Sequence, residues 1–120
     1  MIITGGCFCG SVCYEFEEGG HLSVNCHCTM CRRLHGAPFV TWLVVPFEQF
    51  RYTQGEPVAY ASSDDGTRFR CGDCGAPLAC INNTHPAIID IAVGSLDDPG
   101  RFPPTREIFA DTRLDRGPLP

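Results

Sequence analysis

Seven of the chain's nine cysteines fall into three clusters: Cys7-Phe8-Cys9, Cys26-His27-Cys28-Thr29-Met30-Cys31 and Cys71-Gly72-Asp73-Cys74-Gly75. Thiols two or three positions apart suit a shared metal ion better than disulfides to one another. The odd total also leaves one thiol over in any all-disulfide scheme. The third cluster has the composition of a zinc knuckle. Two sulfurs flank a tight turn, and glycine lets backbone amides point at them.

Ligand counting divides these sulfurs. Structural zinc takes four protein ligands, whereas catalytic zinc often takes three and keeps one position open. Cys7 and Cys9 with Cys71 and Cys74 make a closed set of four. Cys26, Cys28 and Cys31 make a compact set of three, where chemistry can happen. A rival partition completes the triplet with a histidine. His27 suits this poorly on an extended segment, because it faces away from Cys26 and Cys28. His35, four residues past Cys31, could share a helix face with it, although a supporting or surface histidine is the plainer expectation. Cys13 and Cys80 sit in strand patterns and are expected to be small core residues.

The elements that must carry these sulfurs read as strands. Glycine (13) and proline (10) punctuate short segments, and alternation is commoner than helical spacing. Ser11 to Glu17 places Val12, Tyr14 and Phe16 on one face. Pro38 to Val45 is apolar on both faces and should be central. His21 to Cys28, Pro57 to Ser62, Thr67 to Cys71, Pro77 to Asn82 and Ala87 to Val93 are further strands, and Glu107 to Ala110 is an edge strand. Cys28 to His35 is the one short helical turn. The pattern predicts an all-β fold in one domain over 1–120, with a core at about 5–110 and a polar, proline-rich tail whose last residues fray.

Composition narrows the function classes. A length of 120 residues suits one domain, and a net charge of −5 argues against a nucleic-acid surface. No apolar run approaches the roughly 20 residues of a membrane span. The opening Met-Ile-Ile-Thr-Gly-Gly shows no secretion signal, so the expectation is a soluble, cytoplasmic protein in a reducing compartment.

Four runs carry a family resemblance: Gly6-Cys7-Phe8-Cys9-Gly10-Ser11-Val12, the stretch from Cys26 to Phe39, Arg70-Cys71-Gly72-Asp73-Cys74-Gly75-Ala76-Pro77-Leu78, and Val93-Gly94-Ser95-Leu96-Asp97-Asp98-Pro99. In order and spacing they resemble the glutathione-dependent formaldehyde-activating enzyme family, whose domain also occurs in centromere protein V. The resemblance runs from about Gly5 to Ile108. It implies stacked antiparallel sheets around a four-cysteine zinc site, a fold related to a Rab-exchange zinc protein and to methionine-R-sulfoxide reductase. It implies two zinc ions per chain: a structural one on Cys7, Cys9, Cys71 and Cys74, and a catalytic one on Cys26, Cys28 and Cys31. The implied activity is a carbon–sulfur lyase of the S-hydroxymethylglutathione synthase kind, with a glutathione-like thiol and a small aldehyde such as formaldehyde as partners.

Arg32 and Arg33, next after the triplet, are the candidates to pair with a glutathione carboxylate. Phe39, Thr41 and Trp42 are candidates for a pocket, with core packing the plainer role for the aromatics. The chain departs from the family pattern late: Ile108-Phe109-Ala110 is followed by Asp111 to Arg116 without tryptophan. The alternatives are a non-catalytic zinc module that binds a protein partner, or a thiol redox protein using the triplet. A homodimer is compatible with an apolar sheet edge.

Overall fold

Alternation of buried and exposed side chains builds two sheets. The structure, a computed structural model, describes residues 1–115; the expected fraying of the last residues falls on 116–120 and lies outside them. Its strands are β1 (Ile2–Gly6), β2 (Cys13–Glu17), β3 (Leu22–Cys26), β4 (Val40–Pro46), β5 (Phe50–Gln54), β6 (Val58–Ala61), β7 (Gly66–Arg70), β8 (Pro77–Asn82), β9 (Ile88–Ala92) and β10 (Arg106–Ile108). One α-helix, α1 (Thr29–His35), lies between β3 and β4. A small sheet has the order β1-β2-β5, and a large one the order β10-β3-β4-β9-β8-β7-β6.

Pairing is antiparallel throughout except at one edge, where β10 runs parallel to β3. The expected edge strand near Glu107 is therefore present, running in the same sense as its one neighbour, β3. β4 sits between β3 and β9, the inner place its two-sided apolar sequence required. Two strands escape the sequence reading. β1 ends in Gly5-Gly6, and β5 carries Arg51, Thr53 and Gln54, so neither shows a run of apolar alternation.

The two faces of the large sheet have different work. One face carries Leu43 and Val45 of β4 with Ile89 and Ile91 of β9. It packs on Ile3, Tyr14, Phe16 and Phe50 of the small sheet and forms the main core. The opposite face carries Val24, Cys26, Val40, Trp42 and Ala92, and Cys31 of α1 packs down onto it. This second cluster bears the triplet.

A local constraint joins the small sheet to the four-cysteine set. Gly55 has φ +67°, and a Cβ built there would lie 2.1 Å from the carbonyl oxygen of Ser11. Gln54 Nε2 donates to Gly10 O at 3.0 Å, holding the same turn. Ser11 in turn touches sulfurs of the set. Gly55→Ala therefore combines backbone strain with a direct clash against main chain. We expect it to destabilise the fold by more than about 1 kcal/mol, read as a lower midpoint in urea unfolding. An unchanged midpoint would contradict the close approach.

Candidate functional site

The turn after β1 and the turn after β7 meet at one end of the sheets. Cys7, Cys9, Cys71 and Cys74 bring their Sγ atoms within 4.8 Å of one another. Cys9 Sγ lies 3.6 Å from Cys7 Sγ and 3.7 Å from Cys71 Sγ. Donors from the chain surround these sulfurs. Val12 N–H points at Cys7 Sγ at 3.3 Å, and Asp73 and Cys74 N–H point at Cys71 Sγ at 3.3 and 3.4 Å. Ser11 Oγ lies 3.0 Å from Cys9 Sγ and 3.2 Å from Cys71 Sγ. The Cys74 and Ser11 contacts lower the Cys71 thiol to about 6. A tight group of ionisable sulfurs fed by amide donors fits a thiophilic cation such as zinc.

The triplet forms on the other face. Cys26 ends β3, and Cys28 is the N-cap of α1, its Sγ accepting the N–H of Cys31 at 3.2 Å. Gly36, at φ 61°, caps the other end in the left-handed conformation. The three Sγ atoms again lie within 4.8 Å of one another. Contact with Cys26 lowers the Cys31 thiol, burial opposes that, and the Arg68 guanidinium lowers it further. Cys26 moves the opposite way, raised by the bond it shares with Cys31 and by burial. The triplet thus favours thiolate at Cys31, and its donor set fits a metal ion with three protein ligands.

The sulfurs of the triplet line a cavity of about 290 Å³. Met30, Trp42, Arg68, Cys80, Asp90 and Phe109 share its wall. Trp42 is 5% exposed and serves both readings made of it, packing in the second cluster while facing this space. Phe39 and Thr41 face a different, larger depression with His35.

The histidines take supporting roles. His27 faces away from the sulfurs on either side of it. Its Nε2 lies 2.8 Å from Glu107 Oε2, and its ring packs on Phe39 at 5.2 Å. The His35 ring stands edge-on to Trp42 at 5.2 Å, and His35 is outside the group of converging ligand atoms. Arg32 and Arg33 lie on α1, half-buried and exposed, and are not among the cavity's lining residues.

Three residues of the wall differ from expectation or were not singled out. Cys80 is half-buried and lines the cavity, and Cys13 is half-buried beside Gly10, so neither is the fully buried core residue expected from the strand pattern. Arg68 and Asp90 carried no motif. They reach the site through strand register: Arg68 of β7 pairs with Cys80 of β8, and Cys80 pairs with Asp90 of β9. Burial raises the Asp90 carboxyl to about 6, helped by the charge on Cys31 and opposed by Arg68. The one available signal was alternation in Thr67-Arg68-Phe69-Arg70, which puts Arg68 and Phe69 on opposite faces.

Among the described residues, no helix is long and apolar enough to cross a membrane. No match was found among the curated proteins. Among solved structures, the crystal structure of a Rhodobacter sphaeroides protein is similar, with a TM-score of 0.70 and 22% identity over 87% of this chain and 98% of that one. That likeness is one of fold. A family model described as glutathione-dependent formaldehyde-activating enzyme matches residues 2–112, a span containing both sulfur groups. On that match the chain belongs to the glutathione-dependent formaldehyde-activating enzyme family.

Proposed function

We propose that the protein is a zinc-dependent carbon–sulfur lyase. It holds a thiol such as glutathione at an open three-cysteine zinc site and adds it to, or releases it from, formaldehyde or a similar small aldehyde. The observation that carries this reading is the triplet itself: three sulfurs converge within 4.8 Å on the wall of a cavity large enough for a small substrate. Zinc held there supplies a positive centre that keeps a substrate sulfur deprotonated at neutral pH.

The chain's own residues account for the rest. Cys26, Cys28 and Cys31 would hold the ion, and because all three line the cavity a substrate thiol entering it would reach that ion. Trp42, Met30 and Phe109 give that cavity apolar walls and limit water around an uncharged aldehyde. In the forward direction the substrate sulfur bonds to the carbonyl carbon, the π electrons move to oxygen, and that oxygen takes a proton. Asp90, raised to about 6 by burial, is a wall carboxyl placed to supply that proton. A glutathione with its sulfur at the triplet extends its carboxylates away from it, and Arg32 and Arg33 on α1 are the guanidinium groups assigned to them.

The group of four serves the fold in this reading. It ties the turn after β1 to the turn after β7, so its zinc contributes folding energy directly. Two predictions follow from the different duties. Native protein is expected to carry about two zinc ions per chain. Cys28→Ser should lose one equivalent and keep its far-ultraviolet spectrum, whereas Cys71→Ser should unfold or aggregate. Equal loss of fold in both variants would contradict the closed and open assignment.

The substrate pair has its own test. Exchange between glutathione, formaldehyde and their adduct can be followed by NMR. The zinc-loaded protein should accelerate it over the uncatalysed rate, and Cys28→Ser should not. No acceleration by the native protein removes this pair of substrates.

A further inference from the structure

Arg68 occupies an unusual environment for a cation. It is 6% exposed, on the strand that leads into the Cys71 knuckle. Its Nε donates to Ser62 Oγ at 3.0 Å, and its Nη2 donates to Cys31 Sγ at 3.4 Å. Its guanidinium carbon lies 5.8 Å from the centre of the Trp42 ring. The remaining nitrogen, Nη1, is buried without a hydrogen-bond partner. The acidic residues of the cavity wall, Asp65 and Asp90, do not supply one. A buried donor on a charged group is costly to leave unpaired, so its presence calls for an acceptor that arrives later.

The charge count says which kind of acceptor. Three thiolates leave a divalent ion one negative charge in excess, and a fourth sulfur doubles that excess in a partly buried place. A neutral fourth ligand adds none. One fixed cation beside the triplet offsets the additional charge, and a guanidinium stays protonated at any working pH. Nη1 and Nη2 also share one planar carbon. With Nη2 spent on Cys31, an anion arriving beside that sulfur meets the unused donor.

We propose that Arg68 is the positioning residue that makes the three-cysteine site select an anionic sulfur over a neutral fourth ligand, with Nη2 holding Cys31 and Nη1 reserved for the incoming thiolate. The inference rests on the open-site reading above and adds the residue that sets its ligand preference. Binding transfers no electrons: the thiol gives its proton to solvent as the sulfur enters the site. Trp42 and Ser62 keep the guanidinium plane fixed, which lowers the entropy lost when the acceptor arrives.

Cobalt-substituted full-length protein gives a readout independent of turnover, because thiolate-to-cobalt absorption grows as a further sulfur joins the ion. Wild type, Arg68→Met and Arg68→Lys are titrated with glutathione and, separately, with imidazole as the neutral ligand. Cys28→Ser, which lacks the triplet's metal, assigns the change to that site by failing to show it. Wild type should bind both ligands. Arg68→Met should keep its metal content and its imidazole affinity, and should lose glutathione affinity by about tenfold or more, the range of one charge-assisted hydrogen bond. Arg68→Lys keeps the charge without the fork and should fall between the two. The same ranking with 2-mercaptoethanol, which lacks carboxylates, ties the effect to sulfur.

A thiol-to-imidazole affinity ratio in Arg68→Met equal to that of wild type overturns the proposal and leaves the open-site reading standing. If Arg68→Met does not fold, an unchanged ratio in Arg68→Lys overturns it equally. Failure of wild type itself to bind any thiol overturns both.

Discussion

The structure depends on sulfurs meeting where, without a cation, they would repel. Cys9 and Cys71 stand 62 residues apart in sequence and 3.7 Å apart in space. Closing a loop of that length costs about 4 kcal/mol of chain entropy, and bringing several ionised thiols together adds Coulombic repulsion. Amide donors from Val12, Asp73 and Cys74 relieve part of that charge. A structural zinc site supplies on the order of 10 kcal/mol or more, enough to exceed the closure term. An ion held by these four sulfurs would fix the ends of β1 and β7 to each other, and with them the place where the small sheet lies on the large one.

The triplet solves a different problem. Its three sulfurs come from a stretch of six residues, so no long loop has to close around them. A strand end supplies Cys26, and one turn of a capped helix supplies Cys28 and Cys31. What the wider fold contributes is the wall opposite. Because side chains alternate, β9 gives Ile89 and Ile91 to the main core and Asp90 to the cavity. Strand β4 divides in the same way, with Leu43 and Val45 on one side and Trp42 on the other. The large sheet is therefore a partition, with the main core on one face and the sulfur triplet on the other.

What was legible in the sequence was local. Clustered cysteines announce ligands by spacing alone, and the division into four and three matches the two groups of converging sulfurs. The alternation of Val12, Tyr14 and Phe16 showed in the pattern and appears as three nearly inaccessible side chains. The short helix over Thr29–His35 was announced by the break in strand pattern. The row Arg68–Cys80–Asp90 could not be read this way. It exists because β7, β8 and β9 adopt one particular register, and the pairing of Arg70 with Pro77 shifts that register by a bulge. Nothing local distinguishes Arg68 from a solvated arginine, or Cys80 from a core thiol, until the strands are laid side by side. Strands β1 and β5 were hidden for a related reason. Their glycines and polar residues form strands because β2 between them offers both edges.

The parallel pairing of β10 with β3 brings the end of the described chain to the triplet. Glu107 accepts from Asn25 Nδ2, pairs with His27 and receives Arg113 Nη2. Thr112 Oγ1 donates to the carbonyl of His27. The residue between Cys26 and Cys28 is thus held from outside by the tail, which explains a buried histidine that faces away from the sulfurs. The same tail sets the cavity mouth. Ile108 and Phe109 line it, and Phe109 takes the left-handed conformation, at φ 53°, that aims an exposed ring there. A non-glycine residue in that region carries strain that the surrounding contacts must offset, and the hydrogen bonds of Glu107 and Thr112 are the contacts that do so. The match to the family model ends at Thr112, three residues past Phe109. Ile108 and Phe109 are the residues by which the end of the described chain reaches the cavity that the three sulfurs line.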